Sequence, residues 1–197
     1  SRQENFEVAC AELAIGGWPV LLRETGGEPV PQSSATVNIA LVYAPPRSEG
    51  DHNRIETGYL RLCQPICDLL IELGGDASVG EIDGAFCDGR YNVNLDGRKM
   101  VGTAQRWRQS QGGQRPVGLV HGAMLMDNER ESMVAAVNRF NEACGLEQRV
   151  RAQSHIALHE KHRSLVHPAG GHHHQRAAQA AAPCPRGSSF LTPNWPL

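Results

Sequence analysis

The sequence predicts an α+β domain in which a mixed, mainly antiparallel β-sheet is flanked by helices. Three observations carry this reading. Apolar residues recur at helical spacing near the start, in the middle and towards the end of the chain. The stretches between them are short, β-like and punctuated by glycine. Asp96-Gly97 is a strong signal for a two-residue hairpin turn. A chain of 197 residues is long enough for one domain that buries roughly 70% of its unfolded surface.

Residues 3–15 place Phe6, Ala9, Cys10 and Leu13 at helical spacing, and Gly16-Gly17 ends that helix. Residues 18–23 (WPVLLR) read as a short buried strand, Thr25-Gly26-Gly27 as a turn, and residues 36–43 (TVNIALVY) as an alternating strand ended by Pro45-Pro46. Residues 53–73 put Ile55, Tyr59, Leu62, Ile66, Leu69, Leu70 and Leu73 on one face, which predicts the longest helix, packed across the sheet. After Gly74-Gly75, residues 77–82, 91–95, 100–107 and 117–126 read as strands, and residues 130–143 as a last amphipathic helix closed by Gly145. Periodicity then fades. The expected division is a folded domain over residues 1–160 and, over 161–197, a disordered or non-native tail carrying a His-rich stretch and a Pro-rich end.

A net charge of −2 with no basic block argues against nucleic acid as partner. No apolar run approaches the roughly 20 residues that span a bilayer, so the expectation is a soluble, cytoplasmic protein without membrane contact. Six cysteines, at 10, 63, 67, 87, 144 and 184, lack paired zinc-ribbon spacing and read as reduced thiols, with no metal site expected; Cys63 and Cys67, i,i+4 on a helix, are the nearest approach to a metal edge. Arginine is used 17 times and lysine twice, at Lys99 and Lys161. In a chain that solvates itself with arginine, Lys99 is either a solvated residue beside a hairpin or a compact point charge that grips a carbonyl or phosphate oxygen.

The run Asp96-Gly97-Arg98-Lys99-Met100-Val101-Gly102-Thr103-Ala104-Gln105-Arg106, with Tyr91-Asn92 before it and His121-Gly122-Ala123-Met124-Leu125 after it, resembles the lipoate-protein ligase A family of the biotin/lipoate ligase superfamily. In that family a G-R-K-x-x-G-x-A lysine contacts the acyl carbonyl and activated phosphate, and an H-G-x-x-L strand follows. Residues 22–32 resemble its R-R-x-T-G-G-G-x-V-x-H loop more weakly, because Leu22, Glu28 and Gln32 replace an Arg, a Gly and the His. The resemblance covers roughly residues 4–160. Family members lay down a strand and a helix before this point and carry a C-terminal accessory domain, so the catalytic domain reads as incomplete at its N-terminus.

The resemblance implies attachment of lipoate or octanoate to a lysine of a lipoyl carrier domain. Carriers of that kind are the acyl-bearing subunits of 2-oxoacid dehydrogenases and the glycine cleavage H protein. The first route it implies runs through an acyl adenylate, with ATP and Mg as substrate and ion. A second branch, the octanoyltransferases, uses a cysteine thioester and no ATP. Cys87 is then the candidate nucleophile and Cys144 a second one. A third reading is a non-catalytic binder of the acyl group or carrier. The implied site consists of Lys99 and Cys87 as catalytic residues. Around them Arg23, Gly26, Gly27, Tyr91, Asn92, Gly102, Thr103, Ala104, His121 and Gly122 would line the substrate pocket. His121 is either a base or a hydrogen-bonding strand residue.

Overall fold

A computed structural model describes residues 2–25, 27–46, 53–110, 112, 115–127, 129–161 and 190–191. Its elements are α1 (Arg2–Ile15), β1 (Pro31–Gln32), β2 (Thr36–Tyr43), α2 (Arg54–Glu72), β3 (Ala77–Val79), β4 (Val93–Leu95), β5 (Arg98–Gln109), β6 (Pro116–Leu125), α3 (Arg130–Ala143), a 3-10 turn (Ala152–Ser154) and β7 (Phe190–Leu191). Five strands form one sheet in the order β2-β6-β5-β4-β3, every neighbour antiparallel. Among the described residues the parallel component is a bridge between Lys99 and His155.

Helices α1, α2 and α3 stop in the same way. Gly17, Gly74 and Gly145 adopt φ of 83°, 76° and 72°. In each case the next amide turns back five residues: Trp18 N donates to Leu13 O, Gly75 N to Leu70 O and Leu146 N to Asn141 O. This left-handed cap satisfies carbonyls that the helix end leaves open, and glycine adopts it without a Cβ penalty.

The sheet separates two apolar clusters. On one face α2 sets Leu62, Cys63, Ile66, Cys67 and Leu70 against Val101, Val120 and Met124. The fit is close, since a Cβ built on Gly122 would lie 2.9 Å from Val101 Cγ1 and 3.5 Å from Leu62 Cδ2. The second cluster joins α1 and α3 to Phe86, Leu125, Val150 and Ala152, with Phe6 edge-on to Phe140 at 6.1 Å. Cys63 and Cys67 are thus core residues. The Cys63 thiol donates to Tyr91 O, and burial pushes its pKa up to about 12.

The expected strand over residues 18–23 joins neither sheet. Trp18 and Val20 pack on the helical cluster, while Leu21 and Leu22 are 52% and 62% exposed. The apolar run suggested a buried strand, but of its described residues only Val20 makes a β-bridge and no ladder forms. Of the expected tail, residues 162–189 and 192–197 lie outside the described residues, and Phe190–Leu191 pair antiparallel with β1. Among the described residues no helix is long and apolar enough to cross a membrane.

Leu70 is 1% exposed at the centre of the α2 face. Leu70→Ala should therefore cost about 2–5 kcal/mol in urea unfolding, whereas the same change at exposed Leu69 should cost far less.

Candidate active site

Lys99 owes its position to a tight hairpin. Asp96 and Gly97 take φ of 50° and 72°, the two left-handed residues of a type I′ turn, and fix the pair Leu95↔Arg98. That register sets Lys99 opposite Asn94, and a register shift between Asn94 and Val93 then pairs Val93 with Val101. Its side chain is 1% exposed, and Nζ donates to Phe86 O at 2.6 Å and Cys87 O at 2.7 Å. Gly102 makes room for it, because a Cβ there would lie 3.3 Å from Lys99 Cε. Burial pushes the lysine pKa from 10.5 down to about 8. The Cys87 sulfur, Asp88 and Glu28 act against that shift, and Arg23 adds to it.

The two carbonyls belong to a loop held from three sides. Asp88 Oδ1 accepts from Ile82 N (2.8 Å), Gly89 N (3.0 Å) and Asn92 Nδ2 (3.0 Å). Thr103 Oγ1 donates to Tyr91 O at 2.7 Å, and the Tyr91 ring stacks on Tyr59 at 4.4 Å. The third support is His155, fully buried and absent from the expected site. Its Nε2 accepts from Phe86 N at 3.1 Å, its Nδ1–H donates to Arg151 O at 2.9 Å, and its ring stacks on Phe86 at 4.1 Å. Burial, reinforced by the Lys99 charge, pushes its pKa down to about 4, which keeps the ring neutral and Nε2 an acceptor. Ile156 N donates to Lys99 O, so this segment grips both the lysine backbone and the loop that the lysine grips.

Cys87 sits at the tip with φ of 48°. Arg23 reaches over it: Nη1 donates to Thr25 Oγ1 (3.0 Å), and Nη2 to Glu28 O (3.1 Å) and towards Cys87 Sγ (3.8 Å). His121 Nε2 and Thr25 Oγ1 share a bond of 2.9 Å, and burial lowers the His121 pKa. Gly27, at φ 114°, passes so near the sulfur that a Cβ would sit 2.7 Å from Sγ. The Glu28 carboxylate accepts from Gln148 Nε2 at 3.0 Å.

A cleft lined by Arg23, Cys87, Gly102, Thr103, Ala104 and His121 runs beneath this loop, so these six expected residues meet at one place, with Lys99 behind Cys87. Tyr91 and Asn92 belong to the supporting loop and border a second cleft beyond Cys87. Gly122 is not part of the cleft; it faces α2 on the other side of the sheet. Gly26 lies outside the described residues, and Cys144 packs in the helical cluster.

Because Lys99 releases its proton near pH 8 when folded but near 10.5 when unfolded, the unfolded chain binds more protons between those values, and stability should rise with pH across that window. Chemical denaturation should show a gain on the order of 3 kcal/mol in the unsubstituted chain that is missing in Lys99→Met.

Residues 1–158 match the family model described as the lipoyl protein ligase A/B catalytic domain. An uncharacterized protein of Cupriavidus necator is 38% identical over 152 residues, 72% of this chain and 59% of the relative. An octanoyl-(GcvH):protein N-octanoyltransferase of Kyrpidia tusciae is 33% identical over 149 residues, 74% of this chain and 50% of the relative. The chain thus spans about half to three fifths of the length of these curated relatives. Among solved structures, lipoate-protein ligase A bound with ATP superposes with a TM-score of 0.50 at 18% identity, covering 80% of this chain and 70% of that one. A T. acidophilum protein with bound lipoic acid gives a TM-score of 0.51 at 19% identity over 79% of this chain and 59% of that one, which shows a shared fold. By its match over residues 1–158, the chain belongs to the lipoyl protein ligase A/B catalytic domain family.

Proposed function

We propose that this protein transfers an octanoyl or lipoyl group from one carrier to a lysine of another lipoyl carrier domain through a thioester on Cys87. The observation that carries this reading is the placement of that sulfur. It borders two clefts, with the Arg23 guanidinium 3.8 Å away and the Lys99 ammonium bonded to the cysteine's own carbonyl. Two fixed cations stand where negative charge develops on sulfur and on the acyl oxygen, and being preorganised they need not reorient during reaction. The K. tusciae relative, an octanoyl-(GcvH):protein N-octanoyltransferase, points the same way.

The chemistry balances without a nucleotide. Sγ attacks the acyl carbon, a C–S bond forms, the bond to the donor nitrogen breaks, and that nitrogen takes up the proton given up by the thiol. A neutral acceptor lysine then attacks the thioester, a C–N bond replaces C–S, and its proton returns to sulfur. One amide is exchanged for another, so no ATP is needed to drive it. The glycine cleavage H protein and the acyl-bearing subunits of 2-oxoacid dehydrogenases are the carriers that fit this chemistry.

The adenylate route, with ATP and Mg, fits these residues less well. Arg106 and Arg108 both bind the Glu24 carboxylate, at 2.7 and 2.6 Å, and Arg23 is engaged by the loop around Cys87. A triphosphate would have to displace those contacts and tolerate Glu24 beside it.

Incubated with octanoyl-loaded H protein and no ATP, the protein should acquire an octanoyl adduct on Cys87 that hydroxylamine removes, and Cys87→Ser should abolish it. Adenylate formation on adding ATP, with Cys87 unmodified, would return the ligase route; neither product would leave a binder. Lys99→Arg should lower transfer by about 100-fold or more, since a planar guanidinium cannot occupy the point between two carbonyls at 2.6 and 2.7 Å.

A further inference from the structure

We infer that His155 is a positioning residue of the transfer reaction: by holding the Phe86 amide it fixes the turn whose two carbonyls bring the Lys99 ammonium up behind the Cys87 sulfur. This rests on the thioester reading above. His155 lines neither cleft beside Cys87, so it acts through Phe86. The backbone of residue 86 is held on both sides. Its N–H bonds to His155 Nε2 at 3.1 Å, and its carbonyl accepts from Lys99 Nζ at 2.6 Å. The carbonyl of Cys87, one residue on, is the second acceptor for Lys99 at 2.7 Å. Phe86 is 4% exposed, so its N–H has no solvent to turn to. Without the imidazole acceptor that amide would move to find a partner, and the carbonyl of the same residue would leave the ammonium.

The imidazole combines three contacts. Nε2 accepts from Phe86 N, Nδ1–H donates to Arg151 O at 2.9 Å, and the ring stacks on Phe86 at 4.1 Å and 17°. The Phe86 ring held in this way has its centroid 5.4 Å from the Lys99 ammonium, close enough for cation–π attraction. The backbone around His155 extends the grip. Arg151 N donates to Gly84 O and Ser154 Oγ to Asp83 O, both at 2.8 Å, and Ile156 N donates to Lys99 O at 2.9 Å. Residues 151–156 thus tie the reacting loop to β5, and His155 is the member that bonds the residue next to Cys87. Lys99 from β5 and Arg130 from α3 both oppose a proton on its ring, so the acceptor at Nε2 persists at neutral pH.

Acylation of Cys87 by the small donor octanoyl-N-acetylcysteamine tests this role, followed by mass spectrometry over a range of donor concentrations, with each variant's melting temperature checked. His155→Phe keeps a stacking ring and removes the acceptor. Its maximal acylation rate should fall about 10- to 100-fold, while the half-saturating donor concentration stays within about twofold because residue 155 lies outside both clefts. His155→Gln supplies an acceptor oxygen and should recover the rate to within about fivefold of the unsubstituted chain. Leu70→Ala, which weakens the cluster under α2, should leave the rate within about twofold and so separates lost stability from lost position. His155→Leu serves as a second acceptor-free variant should His155→Phe not fold. An unchanged rate in a folded acceptor-free variant, an equal loss in His155→Gln, or a matching loss in Leu70→Ala overturns the assignment. Absence of any Cys87 adduct in the unsubstituted chain is a different result, and it overturns the thioester reading. Alkylation of Cys87 by iodoacetamide then decides the positioning role alone: at least about fivefold slower in His155→Phe than in His155→Gln supports it, and an equal or faster reaction overturns it.

Discussion

The structure around the site is organised by one costly act, the enclosure of the Lys99 ammonium. A buried cation loses several kcal/mol of hydration unless polar groups replace the water. Here the replacements are two main-chain carbonyls, of Phe86 and Cys87, which must be presented at hydrogen-bonding distance by a loop with no strand of its own. That requirement accounts for the density of bonds around the loop: Asp88 holds three donors, Thr103 binds Tyr91, and His155 binds Phe86 while stacking on its ring. It also accounts for Gly102, whose missing side chain gives the lysine its space.

The same enclosure ties electrostatics to position. Holding Lys99 by the carbonyl of Cys87 fixes a positive charge one residue's breadth from the sulfur, and Arg23 supplies a second from a separate segment. His155 must remain neutral for this arrangement to last, because a protonated ring would lose its acceptor for Phe86 N–H and stand as a like charge beside the lysine. Its burial secures that neutrality, with a pKa near 4.

What was legible in the sequence was mostly local. The helix ends were marked by glycines that do adopt left-handed conformations, and Asp96-Gly97 announced a turn that does form. Lys99 stood out because arginine had displaced lysine nearly everywhere else, a contrast that needed no structure. Long-range features were hidden. His155 reaches Phe86 across 69 residues, and nothing near it in the sequence pointed to that partner. Residues 18–23 had a strand's composition but join neither sheet, and Gly122 shared a motif with His121 while facing the opposite side of the sheet. Neighbouring residues on a strand alternate faces, so a contiguous motif necessarily divides between site and core.

Cys87 is held at φ 48°, a conformation that costs a side-chain-bearing residue on the order of 1 kcal/mol and glycine almost nothing. Selection for stability alone would therefore favour glycine or asparagine at this position. A lineage released from covalent transfer would gain by that exchange and have no reason to reverse it. Under the proposed thioester route the identity of residue 87 thus becomes a historical marker: a cysteine kept there against its backbone strain would mark a scaffold that uses the sulfur, and a glycine one that has drifted towards comfort.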